Sequence, residues 1–345
     1  MGPVPRSRGD RPATIADVAA RAGVSPATVS RVMNGTRAVD EQMAERVRAA
    51  AEELSYSASP LARSLVLGRT NTVAVVVPDL GNPTFHGVLR GISLAAAQNG
   101  YHALVGDSAE SSSEEQVLAR HTRRRCDGLI LVSPRMDEKK LDELLTELQP
   151  LVLVNRVPVR DRVVPVVTTD YELGLTDLLE VLYADGHRSL LYLAGATRSA
   201  SNARRLAALT AFEETHPDVT ITHRPCGVNF AEGYEAGGDV IASGATGVVA
   251  FNDLVAMGLI SALTERGCAV PEDLSVVGYD DIPFARYVAP PLTTAAVPVT
   301  TLGEQAWQRM WGLLQDGTVA DTLVVRPHLE RRGSTGPVPR RTNGH

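Results

Sequence analysis

In the stretch VSPATVSRVMNG (Val24 to Gly35) a single arginine, Arg31, stands among small side chains. Val29, Val32 and Met33 recur at helical spacing, leaving Pro26, Ala27, Thr28, Ser30, Arg31 and Asn34 on the opposite face. That face holds one long donor fork. A guanidinium spans the O6 and N7 of guanine, the commonest base-specific contact in DNA recognition. Hydroxyl and amide groups such as those of Thr28, Ser30 and Asn34 suit phosphate oxygens and set register. Pro26 and Ala27 can donate no side-chain hydrogen bond, so any discrimination there is by apolar contact, as with a thymine methyl.

A second set of chemistry-bearing residues follows short apolar runs: Asp79, Ser133, Asn155, Asp170, Asn252, Asp253 and Asp280. Ligands of open α/β sheets bind beyond the carboxyl ends of the strands, where these polar groups fall. GDSAE (Gly106 to Glu110) also follows a run and could carry a hydrolase serine. Such an enzyme needs a histidine base with an acidic partner as DxxH, and the sequence contains none. No P-loop, HExxH or GxGxxG stands out. Cys126, Cys226 and Cys268 are odd in number and never in CxxC spacing, so they read as free thiols. Neither metal nor cofactor is expected.

Three short helices must position the arginine face. Thr14 can cap the first, with Asp17 completing a capping box; Ile15, Val18, Ala19 and Ala22 form its apolar side and Gly23 closes it. Ser25 caps the second, Pro26 takes its first position and Asn34-Gly35 stops it. The third starts at Asp40 and carries Met43, Val47, Ala50, Ala51 and Leu54. Two helices joined by a tight glycine turn and braced by a third describe a helix-turn-helix head. SASPLARSLVLGRT (Ser57 to Thr70) then holds a helix too short to stand alone in water, hence a linker that folds only when held.

From Thr72 continuous Val/Leu/Ile runs alternate with amphipathic segments: VAVVVP, YHALVG, DGLILVS, PLVLVN, VVPVVTTD, SLLYLAG, TGVVAFND and LSVVGYD. Unbroken apolar runs predict strands buried on both faces, a parallel sheet, and over more than 250 residues two α/β lobes. The 345 residues carry a net charge of −6. Its distribution matters more than its sum: the first 70 residues hold ten Arg against seven Asp or Glu, so a mildly basic head sits on an acidic body. No apolar run is long enough for a transmembrane helix. The polar, proline-rich start is no secretory signal, so a cytoplasmic protein is expected.

The chain resembles the LacI/GalR family of transcription regulators from about residue 13 to 335. TIADVAARAGVSPATVSRVMNG resembles its head and SPLARSL its hinge helix; FNDLVAMG, VPEDLSVVGYDD, PPLTT and ERRGST follow in the family's order. The resemblance implies a tail to residue 12, a head over 13–58, a hinge over 59–70 and a core over 71–335 like periplasmic sugar-binding proteins. Lobe one would comprise about 71–169 and 299–327, lobe two 170–298 and 328–335, with 336–345 a disordered tail.

It further implies that the Arg31 helix lies in the major groove, with Pro26 and Ala27 at the positions that vary between operators. DNA contacts would come from Thr14, Ser25, Pro26, Ala27, Thr28, Ser30, Arg31 and Asn34. In the hinge Leu65 would wedge a central base step, Ala62 would permit close helix pairing, and Arg63 would meet phosphate. The implied partners are a palindromic operator with a central CpG, a second copy of the chain, and a small effector, with a sugar favoured. Effector contacts carried over are Asp79, Phe85, Ser133, Asp170, Arg205, Phe230, Asn252 and Asp280. Carboxylates and amides around an aromatic ring suit sugar hydroxyls. Two departures leave the ligand open: only Arg198 lies near the place of a purine-repressor arginine, and Val297 stands where some sugar-responsive members have glutamine. A corepressor-dependent, purine-type regulator is the alternative, and a plain solute-binding module a more distant one. The tail GPVPRRTNGH has no leucine heptad for tetramer formation, so a dimer is expected.

Overall fold

The computed structural model describes residues 13–34, 39–56, 68–158 and 163–339. They fall into two compact units, divided between Thr70 and Asn71.

The first unit contains α1 (Ile15–Ala22), α2 (Pro26–Asn34) and α3 (Glu41–Glu53). Thr14 and Asp17 close a reciprocal capping box, with Thr14 N donating to Asp17 Oδ2 at 2.8 Å and Asp17 N to Thr14 Oγ1 at 3.4 Å. Gly23, at φ +66°, ends α1 in the left-handed region that an L side chain rarely adopts. Two residues later Ser25 Oγ accepts from Thr28 N at 3.2 Å and starts α2. Asp40 does the same for α3 through Met43 N at 3.1 Å. Each such cap is worth about 1 kcal/mol. The core is made of small groups: Val18, Ala19, Ala22, Val29, Val47, Ala50 and Ala51, with Ile15, Val32, Met33 and Leu54 around them. The tail to residue 12 and the hinge residues 57–67, including Ala62, Arg63 and Leu65, lie outside the described residues.

The second unit holds two six-stranded sheets. The first combines β1 (Thr72–Val77), β2 (His102–Asp107), β3 (Gly128–Val132), β4 (Leu151–Val154) and β5 (Val166–Thr169) with the late strand β11 (Leu323–Val325), in the order β11-β5-β4-β3-β1-β2. The second combines β6 (Ser189–Ala194), β7 (Thr220–Pro225), β8 (Gly247–Ala250), β9 (Ser275–Asp280) and β10 (Thr293–Ala296) with β12 (His328–Glu330), in the order β12-β10-β9-β8-β6-β7. Helices α4 (Pro83–Gln98), α5 (Ser112–Arg123) and α6 (Glu138–Glu147) cross over in lobe one; α7 (Tyr171–Ala184), α8 (Ala200–Thr215), α9 (Phe230–Glu235), α10 (Gly237–Ser243) and α11 (Asp253–Glu265) do so in lobe two.

The chain crosses between lobes three times: after β5, between β10 and α12 (Val299–Gln315), and between β11 and β12. The second crossing returns α12 to pack along α4. Their backbones meet so closely that a Cβ at Gly91 would sit 2.1 Å from the Thr300 carbonyl oxygen, and one at Gly303 2.1 Å from that of Val88. Only glycine permits this approach.

Buried, unbroken β1, β3, β4, β6, β8 and β9 match the apolar runs. Four strands have no such run. β7 is an edge strand with mostly exposed residues, β10 is Thr-Thr-Ala-Ala, and β11 and β12 are three residues each. β12 pairs with β10 in antiparallel fashion, a departure from the all-parallel expectation. The closing segment also corrects the sequence reading, because disorder does not begin at residue 336. The Gly336 carbonyl accepts from buried His187 at 3.0 Å, and Val338 N donates to the Asp185 carbonyl at 2.8 Å. Backbone hydrogen bonds and a buried imidazole hold a stretch whose composition alone signals no order.

Candidate DNA-reading face and effector cleft

In the head, Val29 is fully buried while Pro26, Ala27 and Arg31 are exposed and Thr28 and Ser30 partly so. Thr14 and Ser25 spend their hydroxyls on the helix starts, Ser25 Oγ also lying 3.0 Å from Thr28 Oγ1. A cap residue presents its helix N-terminus with it, so the backbone N–H groups of α1 and α2 remain suited to a phosphate. The exposed strip of α2 thus carries one guanidinium flanked by short side chains, narrow enough for the major groove.

In the core, the ends of β1, β3, β4, β8 and β9 converge between the lobes. A narrow chamber of about 40 Å³ is lined by Asn82, Thr84, Phe85, Glu110, Ser133, Arg135, Asn155, Tyr171, Ser201, Arg205, Val228, Phe251, Asn252 and Asp280. It leads into a cleft of about 790 Å³ bounded by Asp79, Glu110, Ser111, Ser112 and Arg135 from lobe one and Thr197, Arg198, Val228, Asn229 and Glu232 from lobe two. Glu110, Arg135 and Val228 border both spaces.

Arg205 anchors the chamber. It is 2% exposed, donates through Nη1 to the Phe251 carbonyl, and lies 3.8 Å from the Tyr279 ring centroid, 4.6 Å from Phe251 and 5.0 Å from Tyr171. An aromatic cage stabilises a desolvated guanidinium through the ring faces. Its Nε has no hydrogen-bond partner among the described residues. Asp280, at φ +109° on the last residue of β9, accepts from Thr84 Oγ1 at 2.8 Å, a bond between lobes. Burial pushes its carboxyl up to about 6, against the opposing pull of Arg205 and Thr84. Asn252 caps α11 through Val255 N at 2.9 Å and donates to the Val228 carbonyl at 2.8 Å. Its neighbour Asp253 is fully buried, accepts from Ile282 N and Thr294 Oγ1, and is held well above the usual carboxylate range by burial. A second contact between lobes runs from Arg198 to Ser112 Oγ at 2.7 Å.

The chamber therefore gathers Phe85, Ser133, Arg205, Asn252 and Asp280. Asp79 is farther out, on the wide cleft, with Oδ1 accepting from Gly81 N at 2.6 Å. Two expected contacts stand elsewhere. Asp170 caps α7 through Leu173 N at 3.1 Å and lines a separate hollow with Arg204, Thr322 and Val324. The reason is local: the first residue after β5 is also the cap of the next helix. Phe230 opens α9, is 44% exposed and lies on neither cavity wall. Val228, two residues earlier, supplies the apolar wall there.

Glu110, Arg135, Thr84 and Tyr171 were not foreseen. Arg135 follows β3 closely in LVSPRM, and a charge there is the one signal the sequence held for it. Arg135 is 5% exposed and forks onto Glu110, Nε to Oε2 at 2.6 Å and Nη2 to Oε1 at 2.9 Å. Behind it, buried Glu115 accepts from Arg135 N at 2.9 Å and Met136 N at 3.0 Å, and burial raises its carboxyl to about 7. As for GDSAE, Ser108 is buried, and Asp107 is taken up by Leu80 N and Ala109 N. That seryl oxygen presents nothing to a substrate.

Residues 14–59 match the model for "Bacterial regulatory proteins, lacI family", and residues 179–335 that for "Periplasmic binding protein-like domain". The HTH-type transcriptional repressor CytR of Escherichia coli (strain K12) is 30% identical over 343 residues, covering 95% of this chain and 97% of that protein. The lac repressor dimer bound to operator and the anti-inducer ONPF superimposes with a TM-score of 0.84 at 27% identity, over 94% of this chain and all of that one. The CelR–cellobiose complex gives 0.67 at 26% identity, over 93% and 99%. With the head, the two-lobed core and a full-length match to a repressor, the chain belongs to the LacI family of bacterial regulatory proteins, DNA-binding transcription regulators and not hydrolases.

Proposed function

We propose that this regulator represses carbohydrate-utilisation genes from the cytoplasm, binding a palindromic operator as a homodimer and leaving it when a sugar enters the cleft. The observation that carries the reading is the chamber itself. Two guanidiniums, one of them caged, two carboxylates, three amides and four hydroxyls ring a space between lobes joined by Thr84–Asp280 and Arg198–Ser112. Such a wall offers donors and acceptors to hydroxyls, and a ligand there touches Thr84–Asp280, one of the bonds that join the lobes, while the other borders the outer cleft. Differential affinity for two lobe arrangements is all that an allosteric effector requires. The cellobiose bound by CelR supports the ligand class.

Reading one half-site with a single helix calls for a two-fold partner. Edge strand β2 leaves Leu104 and Val105 exposed, beside Val117 on α5, and lobe two exposes Phe284 and Tyr287. These apolar groups suit burial against a second copy, and the operator-bound lac repressor is such a dimer. Between head and core, Ala62, Arg63 and Leu65 would act in the minor groove, Leu65 as a wedge that kinks the central step. Asp79 and Arg198 would meet ligand in the outer cleft.

Selection of sites from random double-stranded DNA at near-physiological salt tests the DNA half; the selected site, titrated by anisotropy with and without mono- and disaccharides, tests the effector half. A palindrome with a central CpG and a sugar that weakens binding are expected. Salt-sensitive binding without a consensus overturns sequence reading by the head, and a sugar that tightens binding makes the protein corepressor-dependent.

A further inference from the structure

We propose that Glu110, held by Arg135, is the lobe-one grip on the effector and restricts that effector to uncharged, hydroxyl-rich molecules; this rests on the reading of the cleft as a sugar site.

The pair sits at the neck, where the chamber opens into the cleft. Its position is fixed from every side. Ala109 and Glu110 both adopt left-handed backbone, at φ +48° and +58°, though neither is glycine. Asp107 holds that turn through Ala109 N at 2.9 Å, and Glu110 N donates to the Pro78 carbonyl at 2.6 Å. Two consecutive non-glycine residues in this region persist only where the surroundings over-determine them, and such places cluster at ligand clamps. On the other side, Glu115 pins the backbone of Arg135, and the Ser133 carbonyl takes its Nη1 at 2.9 Å. The side chain of Arg135 is nearly closed off from solvent, while that of Glu110 is a quarter exposed.

The chemistry follows from counting acceptors. A carboxylate has about four lone-pair sites. Arg135 occupies one on each oxygen of Glu110, leaving the outer one on each, so either oxygen can still receive a hydroxyl. The arginine is spent on that pairing and offers no free fork. Of the other two guanidiniums, Arg198 gives Nη1 to Ser112 Oγ, and Arg205 gives Nη1 to the Phe251 carbonyl inside its aromatic cage, its Nε having no partner among the described residues. Against these three stand the carboxylates of Asp79, Glu110, Glu232 and Asp280. A phosphate or carboxylate ligand would add to an excess of negative charge, whereas hydroxyls find acceptors.

The test is calorimetric titration of the full chain with D-glucose, D-galactose, D-ribose, cellobiose and maltose, and with glucose 6-phosphate, galactose 6-phosphate and ribose 5-phosphate. One neutral sugar should bind, its phosphate ester at least tenfold more weakly. E110Q should weaken that sugar at least tenfold and narrow the gap between the neutral and phosphorylated forms. E110D, which keeps the charge and shortens the reach, should fall between; it carries the test if thermal unfolding shows E110Q misfolded. An unchanged sugar affinity in folded E110Q, with binding lost in R205A, overturns the grip and leaves the sugar site standing. A phosphate ester that binds more tightly than its neutral sugar overturns the restriction to uncharged ligands. Failure of all these compounds to bind overturns the sugar reading, and this inference with it.

Discussion

The head and the core bury opposite kinds of chemistry. The head packs alanine and valine inside and keeps its polar groups outside, on caps and on the exposed strip of α2. The core packs whole strands of Val and Leu, then sequesters arginine, aspartate, glutamate and asparagine where its strands end. A DNA-reading surface must meet a partner larger than itself, so its reading groups stand at the surface. An effector site must separate its ligand from water, and each buried polar group then needs a fixed partner. The consequence is that head residues act nearly independently, whereas core residues act through one another.

The sharpest break of this contrast is Val29→Asp, which places an unpaired charge in the small head core. Burying it costs several kcal/mol, more than three short helices can bear. Operator binding should vanish while calorimetry still records the unfolding of the core; a single transition lost for both units would show that the two are not separate. Next is Arg205→Ala. It strands the Phe251 carbonyl and three rings, should destabilise the core by about 1–3 kcal/mol, and should abolish the ligand response measured by anisotropy. A response that survives means the chamber is not the effector site.

Arg31→Ala should leave the head folded, because that side chain is exposed and belongs to no part of the head core. It should remove discrimination at one base pair per half-site, about 1–3 kcal/mol each. Equal weakening on operator and random DNA would reduce Arg31 to a phosphate contact. The smallest effect is one of pH. Burial raises Glu115 from an ordinary value near 4.5 to about 7, so the folded core holds a proton that the unfolded chain releases. Stability from this group is therefore full below about 4.5 and is lost as pH rises to about 7, at no more than about 1.4 kcal/mol per pH unit. Asp280 adds in the same direction up to about 6. Denaturant midpoints across this range should fall more gently for Glu115→Gln than for the wild type; parallel curves would mean Glu115 is charged throughout.

Some of this was legible early because the signals are local. A threonine three residues before an aspartate makes the capping box of α1 wherever the helix lies. Ser25-Pro26 starts α2, and the spacing of Val29, Val32 and Met33 fixes which face Arg31 occupies. Unbroken runs such as LVLV announce strands buried on both sides. Strand β10 was not legible, because Thr-Thr-Ala-Ala becomes a buried strand only between its two neighbours. Asp170 and Asp280 both follow or end apolar runs, and nothing local separates them. One caps a helix outside the chamber, the other faces Thr84 from 196 residues away.

The sequence by itself determined the helix starts of the head, the exposed position of Arg31, and the alternation of strand and helix that makes two lobes. These depend on neighbours within one or two turns, where capping and periodicity act. Tertiary structure alone decided which polar residues share a chamber, that Glu110 is aimed there through left-handed backbone at Ala109 and Glu110, and that Arg135 is spent on holding it. Those outcomes depend on desolvation and on partners far away in the chain, and neither is written in any short stretch of residues.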